Sequence, residues 1–278
     1  MKKIITLLAI TIYLNVNAQY TKLLDFNNTN GTQPYGSVIL SANDSVLYGM
    51  TNGGGSISNT AGTIYSIHTD GTGYTNLHNF TAANTSGSWP YGSLIRSGNV
   101  LYGMTSGYGA YGKGNIFSIN TDGTGYTDLH DFGGGDSLSI GDSTAGANPN
   151  GTLAISGNVL YGMTYGAGGS DMGNVFSIHT DGTAYTDLLE FNGTNGEHPG
   201  YGALTISGNT MYATTLYGGT GTSGSGVLFS LHTDGTGYNK LIDFNYVNGS
   251  MPFGSVILSG NTLYGNTDGG GLYGKGII

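Results

Sequence analysis

Apolar residues along this chain come in short runs separated by Gly, Asn, Asp, Ser and Thr, and the runs recur in a fixed order. Val38-Ile39-Leu40 is followed by Ser41-Ala42-Asn43-Asp44 and then by Leu47-Tyr48-Gly49-Met50-Thr51. Later copies place Ser-Gly-Asn between the same two runs, at Ser97-Gly98-Asn99, Ser156-Gly157-Asn158, Ser207-Gly208-Asn209 and Ser259-Gly260-Asn261. Gly-Asn between apolar runs predicts a tight hairpin, because both residues tolerate positive φ. After a glycine-rich stretch of varying length comes a third run, Ile64-Tyr65-Ser66-Ile67-His68, repeated at Ile116 to Asn120, Val175 to His179 and Leu228 to His232. It leads into Thr-Asp-Gly-Thr-Gly-Tyr at Thr69 to Tyr74, Thr121 to Tyr126, Thr180 to Tyr185 (with Ala184 for the second Gly) and Thr233 to Tyr238. Asp-Gly supplies the left-handed conformations of a second tight hairpin, so Tyr74 to Phe80 is predicted to fold back as a fourth strand.

The copies form a tandem array with a period of roughly fifty residues. Each unit reads as a four-stranded antiparallel meander, with strand positions lettered A to D. Strand A follows Pro-x-Gly at Pro34, Pro90, Pro149, Pro199 (one residue longer) and Pro252, which accounts for all five prolines. Runs such as Val-Ile-Leu and Ile-Phe-Ser-Ile are apolar at both alternating sets of positions, so both sheet faces need cover. A small meander cannot bury two faces alone, but copies stacked around an axis can. The expectation is an all-β fold, a β-propeller of four-stranded antiparallel blades with about five repeat units. A β-solenoid is the rival, disfavoured by two tight hairpins per unit. The recurring glycine of strand B (Gly49, Gly103, Gly162 and Gly265, with Ala213 in the fourth copy) is expected to permit close approach of neighbouring sheets.

The units span residues 34–80, 90–132, 149–191, 199–244 and 252–278. Residues 20–26, Tyr-Thr-Lys-Leu-Leu-Asp-Phe, match strand D without the three strands before it, and Gly274 to Ile278 match the residues that open strand C of the second unit. Either the early D strand completes the last unit or the chain is a fragment of a larger ring. An open sheet edge predicts poor solubility.

Met1-Lys2-Lys3, the apolar Ile4 to Leu14 and Val16-Asn17-Ala18 have the form of a signal peptide. This predicts removal of residues 1–18, a repeat domain over 19–278, and an extracellular, cell-surface or periplasmic location. The apolar part is too short to span a bilayer. With no cysteine, the sequence holds neither a disulfide nor a lipoprotein-type signal. Seven Lys and Arg against sixteen Asp and Glu leave a formal net charge of −9, which excludes a nucleic-acid footprint. Despite 53 glycines, a hydrophobic content of 37% in phase with the repeat argues for a packed core over disorder.

Taken together, Pro-x-Gly-Ser-Leu-Ile, Ser-Gly-Asn-x-Leu-Tyr-Gly-Met-Thr, Gly-x-Ile-Phe-Ser-Ile and Thr-Asp-Gly-Thr-Gly-Tyr-x-x-Leu-His-x-Phe resemble the GloVer tandem repeat of exported bacterial proteins, the choice-of-anchor repeat proteins, over residues 20–278. The Asp-Gly-Thr-Gly turn before a Leu-containing strand is also similar, at the level of fold, to the repeats of TolB-type propellers. The resemblance implies an exported repeat region in a family without an established activity.

Most carboxylates occupy repeat slots: Asp70, Asp122, Asp181 and Asp234 in the turn, and Asp25, Asp131, Glu190 and Asp243 before the phenylalanine ending strand D, where the first full unit has Asn79. Recurrence points to turn and strand-end chemistry. Outside the slots, Asp142, Asp171 and Glu197 fall in loops that could converge at one end of a channel, as a polysaccharide-degrading propeller glycosidase or lyase requires. His68, His179 and His232 share one slot and His78 and His130 another, so they are distributed rather than gathered as zinc needs; His198 stands in a variable loop. One carboxylate per turn falls short of the about six to eight oxygens of calcium. No catalytic residue, metal site or cofactor is assigned.

The A–B and C–D turns are nearly constant, whereas the B–C and D–A connections vary and by antiparallel geometry share the opposite face. Varied loops on a rigid scaffold are where binding usually resides. This face carries the candidate ligand-binding residues Trp89, Tyr108, Tyr111, Tyr165, Tyr217, Tyr246 and Tyr273. Aromatic platforms among Asn, Ser and Thr suit a polysaccharide or cell-surface glycan, another surface protein being the alternative partner. The bland reading is that these rings pack the loops. The functional expectation is a non-enzymatic binding or cell-surface interaction module, with a degradative enzyme or a passive repeat spacer as rivals.

Overall fold

A computed structural model describes residues 20–278 except 57–59, 82–85, 134–145, 167–169 and 222–223. The predicted signal peptide therefore lies outside the described residues. Unit 1 holds β1 (Ile39–Leu40), β2 (Val46–Thr51), β3 (Thr60–His68) and β4 (Thr75–Thr81). Unit 2 repeats this as β5 (Ile95–Ser97), β6 (Val100–Thr105), β7 (Asn115–Asn120) and β8 (Thr127–Asp131). Unit 3 does so as β9 (Ala154–Ser156), β10 (Val159–Thr164), β11 (Asn174–His179) and β12 (Thr186–Glu190). In unit 4 a short β13 (Glu197–Pro199) precedes β14 (Thr205–Ser207), β15 (Thr210–Tyr217), β16 (Val227–His232) and β17 (Asn239–Asp243). Unit 5 has β18 (Ile257–Ser259) and β19 (Thr262–Tyr264). Every pairing is antiparallel between successive strands, apart from β13, which pairs the far end of β15. This is the meander that the hairpin signals predict, built as an all-β propeller.

Each hairpin follows from its turn. Gly98, Gly157, Gly208 and Gly260 have φ near +60°, and Asp44 takes the same conformation in the first copy. The paired residues are Ser97 with Val100 and Ser259 with Thr262. The glycine alone is left-handed, the pattern of a type II′ turn, so the Asn beside it does not need positive φ. At the C–D turn Asp70 Oδ1 accepts the Thr72 N–H at 2.9 Å and its hydroxyl at 2.7 Å, and Asp122, Asp181 and Asp234 repeat this. The threonine hydroxyl, then the backbone N–H, hold these four carboxyls below their ordinary range.

The strand-B glycine serves a different purpose from the expected one. Gly103 pairs with Phe117 across the same sheet, and a Cβ at Gly103 would sit 2.5 Å from the Phe117 ring. Gly49 makes room for Tyr65 and Gly162 for Phe176 in the same manner. Close approach of neighbouring sheets falls instead to the glycine of Pro-x-Gly. A Cβ on Gly36, Gly92 or Gly151 would collide with the carbonyl of Gly92, Gly151 or Gly202, the same slot one unit on. These glycines place the start of every strand A around a common axis.

The core lies between units. Phe80 at the end of β4 meets Phe117 of unit 2 edge-on at 5.3 Å, Phe132 meets Phe176 at 5.4 Å and Phe191 meets Phe229 at 5.5 Å. All six rings are at most 1% exposed. Burying each stabilises the fold by roughly 1.5–3 kcal/mol, so neighbouring units hold one another. Residues 20–26 use the same contact: Phe26 meets Tyr65 edge-on at 5.4 Å, and Leu23 lies against Gly71 as Leu77 lies against Gly123. This segment thus takes the place of a strand D ahead of unit 1, but among the described residues it pairs with no strand and does not complete unit 5. In unit 5 the Ile277 N–H donates to Thr267 Oγ1 at 3.2 Å, as Asn115 does to Thr105 at 3.1 Å, so the expected alignment of Gly274 to Ile278 holds.

Candidate functional site

Two repeat slots meet on the loop face. Gln33, Trp89, Asn148, His198 and Met251 directly precede the prolines and have φ of 56°, 57°, 53°, 50° and 51°. Left-handed backbone is uncommon without glycine and proline further restricts its predecessor, so something must hold it. The N–H groups of Trp89, Asn148, His198 and Met251 donate to the carbonyls of Ala61, Lys113, Met172 and Ser225 in the preceding unit. The carbonyls of Gln33, Trp89, Asn148 and Met251 accept from Asn52, Ser106, Tyr165 and Asp268 in their own. The main chain clamps adjacent units, and the side chain is left to vary among five residue types.

The second slot follows the proline: Tyr35, Tyr91, Asn150, Tyr201 and Phe253. Ring centroids lie 5.4 Å apart for Tyr35 and Tyr91, 5.8 Å for Tyr91 and Tyr201, and 6.2 Å for Tyr201 and Phe253. With Gly36, Gly92, Gly202 and Gly254 these rings line an axial cavity of about 660 Å³. Tyr35, Tyr201 and Phe253 are 61%, 46% and 38% exposed, and Tyr91 is half-buried. Beside the rings, the N–H groups of Ser37, Ser93 and Ala203 donate to the hydroxyls of Ser93, Thr152 and Ser255, each at 2.8 Å. Burial, then the adjacent Tyr91 and Tyr35, raise the Tyr201 hydroxyl above its ordinary value, so it remains a proton donor.

The seven aromatic residues expected from the sequence are divided. Trp89 and Tyr108 meet edge-on at 5.4 Å, with Trp89 lying over Gly107. Tyr165 stacks on His198 at 4.4 Å, and Tyr217 meets the same imidazole edge-on at 6.1 Å. Burial and then Tyr217, Tyr201 and Glu197 raise the Tyr165 hydroxyl above its ordinary value. Tyr111, Tyr246 and Tyr273 are exposed on the loops of units 2 and 5. The axial rings were overlooked because they occupy a recurrent slot next to a strand, and recurrence reads as structural. What marks them is an aromatic ring in four of five copies between proline and glycine, where a strand needs none.

The carboxylates outside the turns are also placed. Asp131 Oδ1 accepts the Ala110 N–H at 2.7 Å and Asp243 the Thr220 N–H at 3.1 Å, while Asn79 Oδ1 accepts from Ser56 at 3.0 Å. The strand-end slot therefore ties down the B–C loop. Glu197 lies 3.3 Å from His198 Nε2, and Asp142 falls outside the described residues. Among the described residues no group of three or more His, Asp or Glu side chains could hold a metal ion. A separate apolar cavity of about 450 Å³ lies between units 4 and 5, against Phe244, Leu263 and Gly265.

A repeat grammar this regular is diagnostic. The model of one family matches the chain twice, over residues 9–141 and 136–278. The chain belongs to the Gloeobacter/Verrucomicrobia repeat family. No curated protein matches it. Among solved structures it is similar to a chain of the nidogen/laminin complex at 17% identity and a TM-score of 0.54, covering 84% of this chain and 71% of that one. A putative TolB from Agrobacterium tumefaciens matches at 13% identity and a TM-score of 0.46, over 74% of this chain and 64% of that one. TolB from Acinetobacter baumannii matches at 11% and 0.47, over 82% and 51%. Identities this low speak to fold alone, and the nidogen/laminin likeness agrees with the propeller.

Proposed function

We propose that this repeat protein is an exported, non-enzymatic binding module that meets a cell-surface or polysaccharide partner on the face made by its B–C and D–A connections. One observation carries the reading: aromatic residues of the B–C and D–A connections meet as the Tyr165, His198 and Tyr217 trio and the Trp89 and Tyr108 pair, on clamped backbone, and the residues just after the D–A prolines line a cavity. Concave, largely apolar sites with a few polar groups are where ligands bind. The net charge of −9 argues against acidic partners. Among the described residues no helix is long and apolar enough to cross a membrane.

The test is retention of the mature protein on insoluble polysaccharides and cell-surface preparations, with release of reducing ends or unsaturated products assayed in the same tubes. Retention without product is the expected result. Product release would establish the degradative alternative, and neither retention nor product would leave the repeat as a spacer.

A further inference from the structure

We infer that the axial cavity is a carbohydrate site that takes the end of a neutral sugar chain, stacked on Tyr201 and Phe253; this rests on the binding reading above. The twelve described residues that line the cavity include no Asp, Glu, Lys, Arg or His. A pocket without formal charge offers an ionic ligand no partner, and placing an anion there leaves its charge unpaired at a cost. What the lining offers is aromatic faces, phenol hydroxyls and backbone. The ring faces match the C–H face of a pyranose, and the Tyr35 and Tyr201 hydroxyls can donate to its oxygens.

Geometry selects the manner of entry. Residues of all five units line this one cavity, and its rings follow one another at 5.4, 5.8 and 6.2 Å, so the site is a compact dish bounded on its sides by side chains. A chain end fits a dish, whereas a mid-chain segment needs an open groove. The volume of about 660 Å³ lies within the roughly 300–1,000 Å³ of small-ligand sites. An extended peptide is disfavoured because the N–H groups of Ser37, Ser93 and Ala203 are already bonded to hydroxyls of the following unit, leaving them nothing to give an added strand.

The test uses isothermal titration of the mature protein with cellohexaose, xylohexaose and mannohexaose, with oligogalacturonate as the charged counterpart. At least one neutral oligosaccharide is expected to bind and the uronate not to. Tyr201→Ala and Phe253→Ala are expected to weaken binding at least tenfold, and Tyr201→Phe, which keeps the stacking face, by less than threefold. Thermal melts of each variant check the fold; Trp89→Ala is titrated alongside, and Leu241→Ala, on β17 and outside the cavity lining, is expected to leave the affinity unchanged. Equal loss in Tyr201→Phe and Tyr201→Ala would overturn the stacking. Loss confined to Trp89→Ala would overturn the axial site while leaving a binding module. Preference for the uronate, or no binding by any of the four, would overturn the neutral-sugar assignment, and retention on the preparations named above would then show whether the module still binds another partner.

Discussion

Units 2 and 5 carry nearly the same strand A and B sequence, yet their side chains meet different fates. Ile95 pairs with Tyr102, and Ile257 pairs with Tyr264 in the same register. In unit 2 Leu101 is 0% and Tyr102 6% exposed, whereas in unit 5 Ile257 is 64% and Tyr264 51% exposed. The hairpin is thus local property and burial is not. A third strand laid beside strand B, and a phenylalanine from it over the strand-B glycine, turn a hairpin into a blade.

The comparison can be broken most directly at the leucine of strand B. Leu101→Ala is expected to cost about 2–5 kcal/mol, as buried leucines do, and Leu263→Ala less than half of that, both read from urea unfolding. Equal costs would mean that unit 5 is as tightly packed as unit 2. The glycine pair is the next sharpest. Gly103→Ala forces a methyl into the Phe117 ring and is expected to cost about 1–3 kcal/mol. Gly265→Ala meets only Val256 near 3.1 Å beside the empty cavity and is expected to be within about 0.5 kcal/mol of wild type.

A smaller effect separates two buried groups inside complete units. Burial, aided by the Glu190 charge and opposed by the hydrogen bonds from Tyr185 and Asn174, pushes the Asp187 carboxyl up to about 6, and burial pushes the His78 imidazole down to about 4. The folded protein holds the Asp187 proton longer than the unfolded chain does. Its contribution is therefore full below the ordinary carboxylate value and is lost as pH rises to about 6. His78 has the opposite sign: folded, it stays neutral, so stability falls as pH drops from 6.5 toward about 4. Asp187→Asn, the residue that unit 1 has as Asn76, should remove the loss between pH 4 and 6. His78→Leu, matching Leu189 of unit 3, should remove the acid-side loss. Stability-against-pH curves unchanged by both substitutions would contradict these assignments.

Strands, hairpins and repeat period were legible because each rests on local chemistry, such as Asp70 closing on Thr72 or Gly98 turning a two-residue loop. The blade arrangement was legible from apolar residues on both strand faces. Relations across units were not. Gln33, Trp89, Asn148, His198 and Met251 share one left-handed conformation without sharing a residue type, and the last four donate their N–H groups to backbone carbonyls of another unit. Close approach of neighbouring sheets belongs to the Pro-x-Gly glycine and not, as expected, to the strand-B glycine, because a sequence shows where space is needed and not what fills it. The D–A connections were read as uniformly variable, yet Asn27 to Gly31, Asn192 to Gly196 and Asn245 to Gly249 fold alike, each second Asn accepting the N–H of the first. The axial rings come from units 1, 2, 4 and 5 and meet only in the folded array.

The most direct test of the account follows aromatic side-chain NMR signals of the mature protein during titration with the neutral oligosaccharide that binds. Shifts concentrated at Tyr35, Tyr91, Tyr201 and Phe253, with Trp89, Tyr111 and Tyr273 unmoved, are the predicted result. Shifts at the loop residues with the axial rings unmoved would contradict it.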